Sequence, residues 1–340
     1  MKTIVLCGGG TAGHVLPNLA LLPYLKDFKV IYLGSKGSME EELCISHNVQ
    51  FYPIDVVKFS RTNLLSNVKI PFTLPKCVNN CVNLLKKLKP NVVFSKGGYV
   101  SLPVTMACKK LGIPYVIHES DYTLGLANKV AKSHASVVMT NFPDTYTGKG
   151  ALCVGIPLRR ELFIDTPQEV ILKKLSLPPR KTILVTGGSL GARSLNRFIL
   201  SILDKLTKEY NVIHLTGKGK EIKIDNPRYL SIPYTDNMGE LYKCSDVVVS
   251  RAGATSIAEI KSLNKKAILV PLSKKASRGD QIKNANAVKC GTIKVFEEEN
   301  LDKNSFLSAL HELMSIKPNT TQKVENTAER IVSVLRKIAL

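Results

Sequence analysis

Two glycine-rich segments, each placed directly after an apolar run, are the features of this sequence that could do chemistry. The first, GGGTAGH, spans residues 8–14 and follows TIVLC at 3–7. The second, GGSLGA at 187–192, follows KTILVT at 181–186. A glycine loop that opens a helix presents backbone N–H groups, and the helix dipole adds partial positive charge, so it suits a phosphate or diphosphate. This pattern predicts phosphate-binding roles for the loop glycines, which are Gly8, Gly9, Gly10, Gly187, Gly188 and Gly191.

A dinucleotide is the main alternative ligand of the first loop, because its glycines at 8, 10 and 13 satisfy G-x-G-x-x-G. An NAD-binding domain also has an acidic residue about 20 positions further on, at the end of the second strand. Here the second strand-like run, VIYL at 30–33, is followed by GSK, and only Lys36 leaves NADP open. Two anion-binding loops fit two diphosphate-bearing partners better than one dinucleotide. Tight strand–helix packing is the structural alternative for each loop.

His14 is the residue best placed to accept a proton. It lies in the first turn after the glycine loop, and a helix N-terminus disfavours the charged imidazolium. A neutral imidazole at that position can act as a general base, so we predict His14 as the catalytic residue. His118, which ends a strand-like run, is the second candidate. His214 lies within an apolar run and is predicted to belong to the core.

Glu259 is the acidic residue with the clearest possible ligand. It lies in SRAGATSIAEI at 250–260, where Gly253 allows a turn and Thr255 or Ser256 can begin the next helix. A carboxylate in the first turns of that helix can accept both hydroxyls of a ribose. The alternative interpretation is an exposed helix acid that is stabilised by the macrodipole.

The elements that must position these residues follow from an alternation of apolar runs and amphipathic segments. Continuously apolar, β-branched runs are typical of buried parallel strands, and their alternation with helices indicates a doubly wound α/β sheet. The runs are TIVLC, VIYL, VVFS (92–95), YVIH (115–118), SVVMT (136–140), KTILVT, NVIHLTG (211–217), DVVVSRAG (246–253) and KAILVPL (266–272). After the second glycine loop, helical spacing predicts one helix that carries Leu195, Phe198, Ile199, Ile202 and Leu206.

The alternation of strand-like runs and helical segments is interrupted by a proline-rich and charged stretch near 155–180 and resumes after it. We therefore predict an α/β fold of two Rossmann-like, doubly wound domains that face a cleft. The first domain covers 1–157 and the second covers 158–320. A final helical pattern at about 321–338 is predicted to join the first domain, so that the segment 321–340 belongs with it.

Composition limits the classes of function. Lysine and arginine outnumber acids 48 to 27, which favours an anionic partner. Aromatic residues make up 6% of the chain, and the sequence contains no aromatic-rich basic stripe of the kind that binds nucleic acid, so we do not expect nucleic acid as a partner. No apolar stretch reaches 18 residues, and the first apolar run is too short for a signal peptide, so we expect a cytoplasmic protein. The eight cysteines are predicted to be buried free thiols, with no metal site.

Seven motifs in order give the sequence a specific resemblance. GGGTAGHV, SKGGYVSLP, HESD, GIPLR, GGSLGA, SRAGATSIAE and DQIKNA together resemble the MurG family over about residues 3–285. Its members are bacterial N-acetylglucosaminyltransferases that convert lipid I to lipid II in peptidoglycan synthesis. The resemblance implies the GT-B type of glycosyltransferase fold, with the first domain on the acceptor and membrane side and the second binding the UDP-sugar. It also implies inverting transfer from UDP-N-acetylglucosamine to the C4 hydroxyl of undecaprenyl-diphospho-N-acetylmuramyl-pentapeptide, and no cofactor is expected.

The same resemblance implies roles for individual residues. His14 matches the general base, the backbone near Thr235 matches the contact with uracil, and Glu259 matches the ribose contact. The full substrate-binding set comprises Thr11, Ala12, Gly13, Asp121, Arg159, Ser189, Thr235, Ala254, Thr255, Ser256, Glu259 and Gln281. Three motifs depart from the family pattern, with HESD for HEQN, GGSLGA for GGSQGA and TAGH for TGGH, and we interpret them as subfamily differences.

Residues 58–89 form a basic and apolar stretch without acids. Apolar insertion plus attraction to anionic headgroups predicts peripheral binding at the cytoplasmic face of the cell membrane. The membrane-facing residues are predicted to be Lys69, Phe72, Lys76 and Lys86. The alternative is a helix pair with a solvated lysine face.

Two other functions stay open, namely a diacylglycerol hexosyltransferase and a non-catalytic protein that binds a nucleotide sugar or nucleic acid.

Overall fold

The structure, a computed structural model, describes residues 1–57, 68, 70–188, 191–274, 277–317 and 327–340. The chain divides into two compact units. One unit comprises Met1–Arg159 together with Asn326–Leu340, and the other comprises Arg160–Glu325. The N-terminal segment of the first unit thus ends at Arg159, where the sequence predicted a boundary after residue 157.

The described part of each unit contains one parallel β-sheet. In the first unit the sheet order is β3-β2-β1-β4-β5-β6-β7, with β1 Lys2–Cys7, β2 Phe28–Gly34, β3 Gln50–Pro53, β4 Val92–Ser95, β5 Tyr115–Glu119, β6 Val137–Thr140 and β7 Ala151–Cys153. In the second unit the order is β10-β9-β8-β11-β12-β13, with β8 Thr182–Thr186, β9 Asn211–Leu215, β10 Tyr229–Ile232, β11 Val247–Ser250, β12 Lys266–Leu269 and β13 Ile293–Val295.

Helices connect these strands. The first unit contains α1 Ala12–Leu19, α2 Met39–Ser46, α3 Ile70–Leu88, α4 Ser101–Leu111 and α5 Leu126–Ala131. The second contains α6 Gln168–Lys174, α7 Arg193–Leu200, α8 Leu203–Glu209, α9 Met238–Cys244, α10 Ala254–Ser262, α11 Asp280–Val288 and α12 Lys303–Ser315. The C-terminal helix α13 Thr327–Ile338 belongs to the first unit. No helix of the described residues has the length and apolar character to cross a bilayer.

Helices cover both faces of the first sheet. Because successive residues of a strand point to opposite sides, neighbouring residues of β1 pack into different clusters. Ile4 and Leu6 of β1 pack in one cluster with α1 and with Ile331 and Leu335 of α13. Val5 packs in a second cluster with residues of α3 and α4. Burial on both sides explains why the central strands read as continuous apolar runs rather than alternating ones. The cluster that contains α13 also shows why the last helix belongs with the first unit.

The strand order creates a switch point in each sheet. In the first sheet the chain leaves β1 towards β2 but leaves the neighbouring β4 in the opposite direction, towards β5, so the loops after β1 and β4 separate. In the second sheet the loops after β8 and β11 separate in the same way, because β8 leads to β9 and β11 leads to β12. In open parallel sheets, ligands bind in the crevice at this point. Both glycine loops lie at such a crevice, since Gly8 follows β1 and Gly187 follows β8.

The sequence-based prediction differs from the structure in two ways. Four short strands, β3, β7, β10 and β13, were not predicted; each pairs with a single neighbour at a sheet edge, so its sequence need not be continuously apolar. The single helix predicted after the second glycine loop is two helices, α7 and α8. They are separated at Ser201 and Ile202, and the backbone of Ile202 departs from helical geometry, with φ of −125°.

The cysteine prediction holds for most of the thiols. All eight are free; Cys153 and Cys290 are exposed, and the other six are buried. Within the described ranges, no group of three or more histidine, cysteine or acidic side chains is arranged to hold a metal ion.

Candidate active site

The first crevice is formed by two loops that only glycine allows to approach so closely. Gly8 and Gly10, after β1, have φ of +149° and +87°. A Cβ on Gly8 would lie 2.9 Å from Cβ of Lys96, and one on Gly10 would lie 2.6 Å from the ring of Tyr99. On the facing loop, a Cβ on Gly98 would lie 2.7 Å from the carbonyl oxygen of Gly9. Larger residues would therefore push the two loops apart.

His14 lies where the sequence placed it, as the third residue of α1, and it is half-buried. Its Nδ1 is 2.9 Å from Oγ1 of Thr11, whose hydroxyl makes no capping hydrogen bond to the helix backbone. A general base needs a nitrogen with a free lone pair. The Thr11 hydroxyl can donate to Nδ1 or accept from Nδ1–H, and in the second arrangement Nε2 has the lone pair that a base at Nε2 requires.

Glu40 is a site residue that the sequence did not reveal. Its carboxylate is buried at the start of α2, where Oε1 accepts from N–H of Ser35 at 3.2 Å and Oε2 lies 3.4 Å from N of Gly10. A carboxylate beside the first glycine loop competes with a diphosphate for the N–H of Gly10. The predicted phosphate role of that loop is therefore opposed by a neighbouring charge. Glu40 is the first of three consecutive acids, and no local pattern distinguishes it from Glu41.

His118, the second candidate base, is not available to substrate. Its side chain is fully buried at the end of β5, and both ring nitrogens are in hydrogen bonds. Nε2 is 2.7 Å from the carbonyl oxygen of Gly155, and Nδ1 is 2.7 Å from Nζ of Lys96. Burial lowers the pKa of His118 well below its usual value. The ring is therefore neutral and structural, and Lys96 is its unforeseen partner.

Asp121 lies at the start of a loop that Glu119, two residues earlier, organises. Glu119 is buried, and its carboxylate accepts from N–H of Asp121 at 3.1 Å, N–H of Gly125 at 2.8 Å and the amide of Asn128 at 2.9 Å. Burial raises the pKa of Glu119, and these donors oppose the increase. Asp121 itself is half-buried, so its side chain can still reach a ligand.

The second glycine loop also depends on close backbone approach. Gly191 has φ of +66°, and a Cβ there would collide with the carbonyl oxygen of Thr216. N–H of Gly188 donates to Oγ1 of Thr186 at 3.2 Å. Ser189, which is predicted to bind substrate, lies outside the described residues.

Arg251 follows β11 at the second crevice, and no role for it was predicted from the sequence. It is buried and donates to Oγ of Ser194 at 2.8 Å and to the carbonyl oxygen of Val270 at 3.1 Å. It also forms an ion pair with Glu298. A signal was present, because SKGG at 95–98 and SRAG at 250–253 place a cation after the equivalent strand of each sheet.

Glu259 is buried with 9% exposure, so the alternative of an exposed helix acid is wrong. It lies in the second turn of α10, and its Oε2 accepts from the hydroxyl of Tyr242 at 2.9 Å. Tyr242 is itself buried on α9 and holds the carboxylate in one orientation. The first turn of α10 contains three of the predicted substrate-binding residues, namely Ala254, Thr255 and Ser256.

Three other predicted residues occupy different parts of the chain. Gln281 is the second residue of α11, and its Oε1 accepts from N–H of Leu272 at 3.0 Å. Thr235 follows β10 and accepts from N–H of Asn237 at 3.0 Å. Arg159 is the last residue of the first unit before the chain enters the second.

Comparison with known proteins gives a consistent result over nearly the whole chain. The N-terminal domain of glycosyltransferase family 28 matches residues 4–140, and its C-terminal domain matches residues 182–337. A relative from Lachnospira eligens is 43% identical over 322 residues, covering 92% of this chain and 91% of the relative. One from Clostridium tetani is 40% identical over 352 residues, covering 99% and 98%. Both are named UDP-N-acetylglucosamine–N-acetylmuramyl-(pentapeptide) pyrophosphoryl-undecaprenol N-acetylglucosamine transferase.

Solved structures agree with the family. The crystal structure of Acinetobacter baumannii MurG superposes with a TM-score of 0.74 at 26% identity, covering 99% of this chain and all of that one. The complex of MnaA from S. aureus with UDP has a TM-score of 0.67 at 14% identity, which shows a shared fold alone. The predicted two-domain α/β fold of the GT-B type is thus confirmed, and the chain belongs to the MurG family of glycosyltransferases.

Proposed function

We propose that this chain transfers N-acetylglucosamine from UDP-N-acetylglucosamine to undecaprenyl-diphospho-N-acetylmuramyl-pentapeptide, the lipid I to lipid II step of peptidoglycan synthesis. The observation that carries this proposal is the match to relatives of that name at 38–43% identity over nearly their full length. The positions that this reaction needs are occupied, with a histidine at 14, a buried acid at 259 and an amide at 281.

The chemistry is a single displacement. The C4 hydroxyl of the acceptor attacks the anomeric carbon of the donor, a C–O bond forms, and the bond to the diphosphate of UDP breaks, so that the α linkage inverts to β. His14 takes the hydroxyl proton at Nε2. Negative charge develops on the leaving diphosphate, where backbone N–H groups of the second glycine loop and the N-terminus of α7 favour it.

Donor recognition is assigned to the second unit. The carboxylate of Glu259, oriented by Tyr242, accepts both ribose hydroxyls, and the NH₂ group of Gln281 donates to a sugar hydroxyl. The backbone near Thr235 meets the uracil. We assign the acceptor to the first unit, where His14 and Asp121 lie at the carboxyl ends of β1 and β5.

An assay of UDP release tests this function directly. UDP-N-acetylglucosamine with a lipid I analogue should release UDP and give a product with one more N-acetylhexosamine by mass spectrometry. UDP-glucose with diacylglycerol should give no turnover, and the reverse result would establish the hexosyltransferase alternative. UDP binding without turnover on either pair would establish a non-catalytic binding protein.

We also propose that the exposed face of α3 holds the enzyme at an anionic membrane surface. The opposite face is buried, with Val78, Cys81 and Leu85 packed beside residues of α4. Phe72, in the first turn, is 81% exposed. Exposed polar and basic residues continue the same face at helical spacing, namely Lys76, Asn79, Asn83, Lys86 and Lys87. Lys69 lies outside the described residues.

Charge reversal on this face should weaken vesicle binding without unfolding the protein. A basic residue near an anionic surface contributes about 1 kcal/mol, so loss of the two lysine charges alone should reduce partitioning about 30-fold. The repulsion that Lys76→Glu and Lys86→Glu introduce should make the reduction larger than that. Phe72→Ser should reduce binding to neutral vesicles as well. The measurement is co-sedimentation with vesicles at increasing fractions of anionic lipid and at increasing salt.

Two exposed lysines of the second unit serve as the matched control, since Lys205→Glu with Lys208→Glu makes the same change in net charge. That pair should leave vesicle binding within twofold of the wild type. Equal losses from the two pairs would mean that overall charge, not the α3 face, attracts the membrane.

A further inference from the structure

Lys96 is a buried lysine at the first crevice for which neither the family resemblance nor the proposed reaction provides a role. It follows β4 directly, with 1% of its surface exposed. Nζ lies 2.7 Å from Nδ1 of His118 and 2.6 Å from Oγ of Ser120. Both partners are neutral, so the lysine is not held there by an ion pair. Burying such a group costs free energy, and its position beside the reaction site suggests what it does.

The protonation pattern of this cluster follows from Gly155. The backbone carbonyl of Gly155 can only accept, so Nε2 of His118 carries the hydrogen that bridges their 2.7 Å separation. The imidazole is neutral, so Nδ1 has a lone pair and must accept from Lys96. Lys96 therefore donates to His118 and to Ser120, and Gly155, Lys96 and Ser120 are joined through one chain of hydrogen bonds.

Ser120 is the residue through which this series of hydrogen bonds reaches the first crevice. It is 9% exposed and immediately precedes Asp121, one of the predicted substrate-binding residues. Its carbonyl oxygen accepts from the amide of Asn141 at 3.1 Å, so Lys96 and Asn141 hold its side chain and its backbone separately. The loop from 120 to 125 is closed on its other side by Glu119.

We propose that Lys96 is a positioning residue of the transferase, which acts through Ser120 to hold the loop carrying Asp121 at the first crevice. The inference rests on the proposed function, because its main readout is turnover of the proposed substrates. It deepens that function by connecting the SKGG and HESD motifs, which lie 22 to 24 residues apart and meet only through the pairing of β4 with β5.

The surroundings of Lys96 bring its pKa close to neutral pH. Burial lowers its pKa to about 7, and Glu119 and Asp121 oppose this by raising it. The third neighbouring titratable group, His118, is neutral. A neutral amine still has two N–H groups, enough for both His118 and Ser120, so the hydrogen-bond chain survives on either side of neutral pH.

The test combines Lys96→Met, Ser120→Ala and the double variant. Lys96→Met keeps the length of the side chain but removes both donors. If the two residues act as one unit, each single variant should lower kcat by about 10- to 100-fold, and the double variant should be no worse than the poorer single one. Ser120→Thr, which retains a hydroxyl, should restore most of the turnover. UDP affinity by calorimetry should stay within twofold, because the nucleotide contacts are assigned to the second unit.

Lys266→Met is the matched control. Lys266 is also a buried lysine, but it starts β12 and donates to the carbonyl oxygen of Ile316 at 2.8 Å, at the amino end of its strand. This variant should lower the thermal midpoint and leave kcat unchanged. If Lys96→Met behaves in the same way, or if the losses of Lys96→Met and Ser120→Ala multiply in the double variant, the positioning role is refuted. Failure of the wild type to turn over lipid I would instead refute the proposed function.

The pH dependence of stability measures the protonation of buried Lys96 without substrate. With a folded pKa of about 7 and an ordinary value of 10.5, Lys96 is protonated in both states below pH 7. Between pH 7 and 10.5 the unfolded chain binds a proton that the folded chain does not, so wild-type stability gains from rising pH. The thermal midpoint of the wild type relative to Lys96→Met should therefore increase from pH 7 to pH 10. A constant difference would mean that Lys96 keeps its proton throughout.

Discussion

Replacing His14 by alanine should lower kcat by about 10²- to 10⁴-fold, the usual effect of losing a general base, while UDP-N-acetylglucosamine affinity stays nearly intact. The physical reason is a separation of tasks between the units. His14 starts α1 in the first unit, and the proposed donor contacts of Glu259 and Gln281 lie in the second. Donor titration by calorimetry beside steady-state turnover on a lipid I analogue measures both quantities.

The His14→Ala variant should remain folded, because the side chain is only half-buried at the start of a helix. His47→Ala is a matched control: His47 is exposed at the end of α2 in the same unit, and the change should leave kcat unchanged. Wild-type turnover in folded His14→Ala would remove it from the mechanism. His118 could not replace it, since that ring is buried with both nitrogens engaged, so Asp121 would be the next residue to test.

Replacing Glu259 by alanine should raise the KM for the UDP-sugar about 10- to 100-fold, with a much smaller change in the KM for the acceptor. Loss of a charge-assisted hydrogen bond costs about 1.5–3 kcal/mol, and 1.4 kcal/mol corresponds to tenfold in affinity. Because Glu259 is buried against Tyr242, the variant also leaves a phenol without its acceptor, and a lower thermal midpoint should accompany the loss.

Tyr242→Phe separates the two effects of that change. It removes the hydroxyl that orients the carboxylate but leaves the carboxylate and its hydrogen bonds to the ribose, so donor KM should rise only about two- to fivefold, which corresponds to roughly 0.5–1 kcal/mol. Glu240→Ala, at an acid of the same unit that pairs with Lys174 at 2.7 Å, should leave donor KM unchanged. Unchanged UDP-sugar affinity in Glu259→Ala would exclude this carboxylate from the donor site.

The central strands and the positions of both glycine loops were predictable because their signals are local. A strand buried on both faces is apolar along most of its length, as at Val92, Val93 and Phe94 of β4, and a glycine loop follows its strand directly along the chain. Edge strands such as β13 lack this signal because they have a single partner. The break between α7 and α8 also escaped the periodicity, because Leu195, Ile199, Ile202 and Leu206 all reach the same core across it.

The sequence also determined the family, and it made His14 and Glu259 candidate site residues, since they lie within motifs whose order along the chain can be read directly. Their partners were decided by the tertiary structure alone. The pairing of β4 with β5 brings Lys96 to Ser120. The fold of the second unit buries Tyr242 against Glu259, 17 residues along the chain.

The tertiary structure alone also decided the contacts of Glu40, beside the first glycine loop, and of Arg251, at the second crevice. Glu40 reaches Gly10 from 30 residues away, and Arg251 reaches Glu298 across 47. Within the acid-rich stretch 40–42, hydrophobic periodicity and residue spacing cannot show which carboxylate turns inward. That choice depends on which strand ends lie side by side in the sheet, and parallel strands become neighbours through crossover connections whose partners have no fixed separation along the chain.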